Sequence, residues 1–176
     1  IGEIRDEETA DIAVKFSLTG HLVFSTVHAN DASSTIARLL DLGIPPFLLG
    51  SSLNLIMAQR LVRTIDEDTK ESYKPSQEEL DLIKIPKDKL NKMNFFTGKP
   101  NTNNHNTGYK GRTAIHEILE VNNDMRQLIY DNASQIEIQK LATDNGMTPL
   151  RQAGIEKISK GVTTIEEVLR ATVEDI

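Results

Sequence analysis

The stretch from Gly20 to Ser34 constrains the fold most, because an apolar run leads there directly into a polar cluster and a helix start. Leu22, Val23, Phe24 and Val27 form a short, nearly continuous apolar run. That is the pattern of a strand buried on both faces in a parallel sheet. Ser25, Thr26 and His28 gather at its C-terminal end. Asn30 or Asp31 can cap a following helix that carries Ile36, Leu39 and Leu40 on one face. A buried strand that runs into a polar edge and a helix N-terminus is where open α/β sheets bind ligands, phosphates above all. His21 and His28 are an odd number of positions apart, so on a regular strand they face opposite ways and do not share a metal.

A second feature lies upstream. The chain opens Ile1-Gly2-Glu3-Ile4-Arg5-Asp6. An acid at a strand end is what a nucleotide hydrolase uses to hold magnesium or orient the attacking water. Ile1 to Ile4 reads as the end of that strand. Asp6 caps the next helix, with Glu7 and Glu8 in the first turn where the helix dipole favours acids. Ala10, Ala13, Val14, Ser17 and Leu18 make its predicted buried stripe, and Gly20 ends it. After Gly43, Pro45-Pro46 breaks the chain, and Pro46 opens a short helix through Leu49. Leu55 to Val62 reads as a further strand, with a helix as the alternative. Strands alternating with helices place the chain in the α/β class with a parallel sheet.

Composition narrows the function. The net charge is −6, and no basic run interleaved with aromatics occurs, which argues against nucleic acid as a partner. Cysteine is absent, so there is no disulfide and no thiolate-ligated metal, and the chain reads as cytosolic. No apolar run is long enough to span a bilayer.

From Arg63 to Thr107 the composition turns to Asp, Glu, Lys, Asn and Pro. Ser76 to Ile83 reads as one helix with Leu80 and Ile83 on one side. Thr97 to Asn106 is almost wholly turn-forming. The segment is either a loose loop or a small folded appendage. Arg112 to Val121 alternates as a returning strand. From Asn122 the pattern is helical, with a stripe of Met125, Leu128 and Ile129. Ser134 with Glu137 and Thr164 with Glu167 have capping-box spacing. Thr148-Pro149 opens a helix between them.

Taken together, these stretches resemble the secretion ATPases that power type II secretion and type IV pilus assembly. Gly2-Glu3-Ile4-Arg5-Asp6 is similar to their Walker B motif, and His21 to His28 to their His box. Ala58-Gln59-Arg60-Leu61-Val62, Thr107-Gly108-Tyr109-Lys110-Gly111-Arg112-Thr113 and Gly161-Val162-Thr163-Thr164-Ile165-Glu166-Glu167-Val168-Leu169 match as well. The resemblance covers nearly the whole chain. It implies the C-terminal part of a RecA-like P-loop NTPase core (1–62), an insertion (63–108), and a returning strand with a C-terminal helical subdomain (109–176). No Gly-x-x-x-x-Gly-Lys-Ser/Thr loop occurs and the first residue is Ile1. The expectation is a piece whose phosphate-cradling half lies upstream, inactive alone.

By this resemblance Glu3 orients water or holds the magnesium shell, and His28 contacts or senses the terminal phosphate. Thr26, His21 and Arg5 lie on the nucleotide side, with Arg5 also able to pair with an acid. Gln59 and Arg60 match without an assigned role, and His105 and His116 match nothing catalytic. The whole protein is expected to use ATP and Mg2+. It is expected to form a homo-hexamer and to meet an inner-membrane platform protein, remaining cytoplasmic and reaching the membrane only through partners. The insertion is a feature of assembly-type relatives, so pilus extension or protein export is expected over retraction. The alternative is a non-catalytic assembly or docking module. A metal-dependent hydrolase built on the four histidines fits poorly, since no His-x-x-x-His occurs. Many assembly-type members bind a structural zinc through two Cys-x-x-Cys motifs in the insertion. Here Asp66, Thr69, Asn101 and Asn104 stand at those positions, so no zinc is expected, with turn hydrogen bonds from Asn101, Asn103, Asn104 and Asn106 in its place.

Overall fold

Small side chains and a well-placed cap explain the first helix of the computed structural model, which describes residues 1–85, 90–91 and 93–172. The remaining residues of the 63–108 and 109–176 segments lie outside the described residues. Helix α1 (Glu7–Leu18) starts at Asp6, whose carboxylate accepts from the Thr9 N–H at 2.8 Å. Ala10, Ala13 and Val14 are buried along it as expected, but Leu18 is exposed. Helix α2 (Ala32–Asp41) is capped by Asp31 in a full capping box with Ser34, and α3 (Pro46–Ser52) begins at Pro46. Strand β1 (Leu55–Ile65) settles the open choice for that stretch in favour of strand. Strands β2 (Lys70–Tyr73) and β3 (Phe95–Gly98) flank α4 (Gln77–Ile83), and a 3-10 turn spans Thr102–Asn104. Strand β4 (Tyr109–Glu120) is followed by α5 (Asn123–Tyr130), α6 (Gln135–Asp144), α7 (Leu150–Ser159) and α8 (Ile165–Ala171).

The chain folds as two compact units, residues 1–58 with 117–148 and residues 59–116 with 149–176. Packing thus cuts the chain at other places than the division 1–62, 63–108 and 109–176. In the first unit α2 packs on α6, and α3 on α1 and α5. Ala10, Ile36, Leu49, Leu119, Met125, Ile129 and Ile138 are among its core residues. In the second, β2 and β3 pair antiparallel with Tyr73 opposite Phe95. Ile83 and Phe95 pack with Ile155, Ile158, Ile165 and Val168 of α7 and α8. The described residues of 63–108 therefore pack with α7 and α8 in a folded unit and are not a loose loop. Thr97 and Gly98, expected in a turn tract, belong to β3.

Two expectations are corrected. Among the described residues the assigned sheets are two-stranded, β1 with β4 and β2 with β3. Strands β1 and β4 run in opposite senses, since the Val121 N–H meets the Asn54 carbonyl and the Asp66 N–H meets the Gly108 carbonyl. Parallel neighbours occur only as extended backbone. The Ile4 N–H donates to the Thr26 carbonyl at 2.8 Å, and the Ile1 ammonium to the Phe24 carbonyl at 3.2 Å. Second, Leu22 and Phe24 are 76% and 77% exposed, so the run at 22–27 is not buried on both faces. Its apolar pattern demands burial, but burial needs neighbours on both sides, and Ile1–Ile4 supplies one.

Gly98 and Gly108 pack backbone to backbone. A Cβ on Gly98 would sit 1.9 Å from the Gly108 carbonyl oxygen, and Gly108 has a positive φ of 76°. Gly98→Ala is expected to cost about 1–3 kcal/mol, the usual range for overpacking. Urea denaturation of both chains measures it, and an unchanged midpoint would mean that the two backbones can part freely.

Candidate active site

The two parallel extended segments place Glu3 beside the end of the 21–28 run. Besides the backbone bond at Ile4, Thr26 Oγ1 donates to the Gly2 carbonyl at 3.0 Å. Thr26 thereby locks the residue before Glu3. Glu3 points its Oε2 at Arg5 Nη2, 2.5 Å away, and its Oε1 at His28 Nε2, 2.9 Å away. Its side chain is 21% exposed, whereas that of His28 is 90% exposed. The hydrogen bond from Arg5 holds the Glu3 carboxyl below the usual carboxylate range; partial burial opposes this, and the charges of Arg5 and His28 add to it. Glu3 Oε1 is buried and has no hydrogen bond except what His28 can offer when its Nε2 carries a proton. A buried, ionised oxygen with spare lone pairs is a natural seat for a water or a hydrated cation.

Three expected residues, Glu3, Arg5 and His28, thus meet, with Thr26 fixing the backbone next to them. His21 stands apart from them at the C-terminal end of α1, where its Nδ1 lies 3.0 Å from Thr19 Oγ1 and its ring meets Phe16 edge-on. Arg5 pairs with an acid, which was one of its two expected roles.

The helix after this run differs from expectation. Two of its N-terminal N–H groups, which would attract phosphate, already donate to carboxylates. Ser34 N–H donates to Asp31 Oδ1 at 2.7 Å, and Ala32 N–H to Glu117 Oε1 at 2.8 Å. Two carboxylates lie at the positive end of the α2 dipole and offset part of its pull on an anion. Glu117 is buried on β4 and was not singled out by the sequence reading. The available signal was its parity, since Glu117 shares the inward face of the strand with Ile115 and Leu119. It acts as a positioning residue that pins the start of α2 just beyond His28.

Among the described residues no group of three or more His, Cys, Asp or Glu converges on a common point. A magnesium ion at Glu3 would draw its other ligands from waters and from phosphate oxygens, as that ion commonly does.

The chain matches the family described as type II/IV secretion system protein over residues 1–170. It is 45% identical over 175 residues to the type II secretion system ATPase E of Vibrio cholerae, covering 99% of this chain and 34% of that protein. It is 42% identical over 174 residues to the type IV pilus assembly ATPase PilB of Thermus thermophilus, covering 99% of this chain and 20% of that protein. The chain therefore spans about a third or less of the length of these relatives. The crystal structure of the Yersinia pseudotuberculosis ATPase DotB superposes with a TM-score of 0.64 at 22% identity, over 97% of this chain and 35% of that one.

Proposed function

Because the chain belongs to the type II/IV secretion system protein family, we propose that it is the Walker B and His-box part of a hexameric ATPase that drives type II secretion or type IV pilus assembly. The observation that carries the reading is the contact of Glu3 with His28 at the end of two parallel extended segments. A nucleotide bound there would present its terminal phosphate to His28. Bound magnesium would supply positive charge against the charge developing on that phosphate. Glu3 would hold the water or the magnesium shell in line through Oε1, the oxygen that faces His28. Thr26 keeps Glu3 in place through the Gly2 carbonyl, and Arg5 keeps it ionised. In this reading His21 steadies the start of the run.

The proposal places this activity in a longer ATPase of the relatives' kind, in which further chain cradles the phosphates. No helix among the described residues is long and apolar enough to cross a membrane. Contact with the inner membrane would run through a platform protein, in the cytoplasm. The segment 63–108 is read as an insertion that needs no zinc. The 176-residue chain by itself is expected to show no magnesium-dependent ATP turnover. Phosphate release that copurifies with the chain through successive columns would refute that and locate a complete site here. The second reading, a docking module without catalysis, is separated by the longer protein. Loss of Gly-Lys-Ser/Thr in its remaining sequence would support the module.

A further inference from the structure

We propose that Asn104 closes the module around β2 and β3 where a metal would not fit, and that cysteines at positions 66, 69, 101 and 104 in place of Asp66, Thr69, Asn101 and Asn104 would take up zinc. The positions form two pairs, 66/69 and 101/104, that are distant from each other in sequence, yet their polar groups converge. Asn104 Nδ2 donates to Asp66 Oδ2 at 3.0 Å, to the Lys99 carbonyl at 2.9 Å and to Thr69 Oγ1 at 3.3 Å. Asn104 Oδ1 accepts from the Asn101 N–H at 2.8 Å and the Gly108 N–H at 3.2 Å. Asn101 returns the contact, its Oδ1 accepting from the Asn104 N–H at 3.0 Å. Backbone N–H groups only donate, so the amide cannot be turned over without breaking two bonds. Asn104 and Asp66 are 1% and 2% exposed.

This chemistry does not fit a metal. The centre of the cluster holds an amide N–H pair aimed inward, which repels a cation. Asp66 is the single charged ligand candidate of the four, and zinc needs soft or borderline donors in a tetrahedron. One amide does the joining instead. It ties the turn after β1 to the turn after β3 and to the Gly108 backbone, where Gly98 packs closely. The hydrogen bond from Asn104 also holds the Asp66 carboxyl below its ordinary range, against partial burial, with smaller contributions from the Asp68 N–H, Lys110 and Thr69. Of the four asparagines expected to act here, Asn101 and Asn104 do so through their side chains. Asn106 takes part through its N–H on the Asn101 carbonyl, in a left-handed conformation shared with His105.

The test uses the 176-residue chain, purified without a metal-affinity tag and dialysed against a chelator. The wild type is expected to retain on the order of 0.1 zinc per chain or less, and D66C/T69C/N101C/N104C about one. The wild type contains no cysteine, so every thiolate ligand in the variant is an introduced one. Amide exchange gives the second readout. Asn104→Ala should speed exchange at the Asn101 and Gly108 N–H groups at least about tenfold, while EDTA leaves the wild type unchanged. About one zinc in the wild type, a chelator effect on its exchange, or no effect of Asn104→Ala would each overturn the proposal. If the four-cysteine variant unfolds without metal, refolding with one zinc bound supports convergence of the four positions. Absence of zinc uptake under either condition overturns it.

Discussion

Exchanging Glu3 for glutamine is expected to lower ATP turnover of the longer ATPase by about a hundredfold or more, with nucleotide affinity nearly unchanged. Glutamine keeps the length but loses the charge that faces Arg5 and His28. Glu3 is held in its ionised form by Arg5, so it is a weak proton acceptor at neutral pH. In the proposed reading its contribution would lie in orientation and in holding the hydrated cation, and a small misplacement of the attacking water suffices for a loss of this size. Steady-state turnover and a separate nucleotide-binding titration of the same variant measure the two halves. Unchanged turnover would move the role to another acid. His28→Ala should also slow turnover. A loss that merely follows its fall in thermal stability would make His28 a structural residue.

Glu167→Ala should destabilise the unit of residues 59–116 and 149–176 by about 3 kcal/mol, the lower end of what breaking a buried ion pair costs. Glu167 is fully buried and receives four bonds. Arg63 donates its N–H to Oε2 at 2.7 Å and its Nη2 to Oε1 at 2.8 Å. Arg170 donates Nε and Nη2, both at 2.9 Å. Arg63 also lies over the Tyr109 ring, 4.1 Å from its centroid. The variant leaves two guanidinium groups without an acceptor, and their partial exposure, 37% and 57%, lets water offset some of the loss. The pH dependence is specific. Burial pushes the Glu167 carboxyl up, but the hydrogen bonds of Arg170 and Arg63 outweigh it and bring it down to about 2. A depressed carboxylate stabilises the fold fully above its unfolded value, 4.5, and loses that contribution as pH falls toward about 2. The stability gap between wild type and variant should therefore be constant from neutral pH to about 5 and shrink below it. Urea midpoints across that range measure it. A gap that persists at pH 2 would show that packing, and not charge, is what Glu167 supplies.

Glu167 also shows how local and tertiary readings part. Thr164 and Glu167 have the spacing of a reciprocal cap. Thr164 does accept from the Glu167 N–H, but the carboxylate never returns to the Thr164 N–H. Two arginines, one of them 104 positions away, outcompete one backbone donor. At Ser134 and Glu137 no such rivals exist, and the full cap forms. Asp6, Asp31 and Ser76 were equally readable, since each cap needs only the next three residues. The same holds for the α/β class, which the likeness to DotB supports.

The candidate site was half legible. Glu3 and His28 stood out because an acid and a histidine at strand ends are chemically conspicuous. Glu117 did not, because its task is defined by an N–H 85 positions away. Arg5 could pair with an acid or approach a phosphate, and only the tertiary structure shows its 2.5 Å contact with Glu3.

What the sequence determined by itself is therefore whatever depends on neighbours within about one helical turn: caps, breaks, helix starts, and the order of motifs that mark the family. Tertiary structure alone decided which polar groups find one another across the chain. It spent the N-terminus of α2 on two carboxylates and drew Glu167 to its arginines. It also gathered Asp66, Thr69, Asn101 and Asn104 around one amide. It left Leu22 and Phe24 exposed as well, since an apolar pattern states a need for burial but not which segment will cover it. The physical reason is the same in each case. Hydrogen bonds and burial are satisfied by proximity in space, and proximity between distant residues follows from packing that no local pattern encodes.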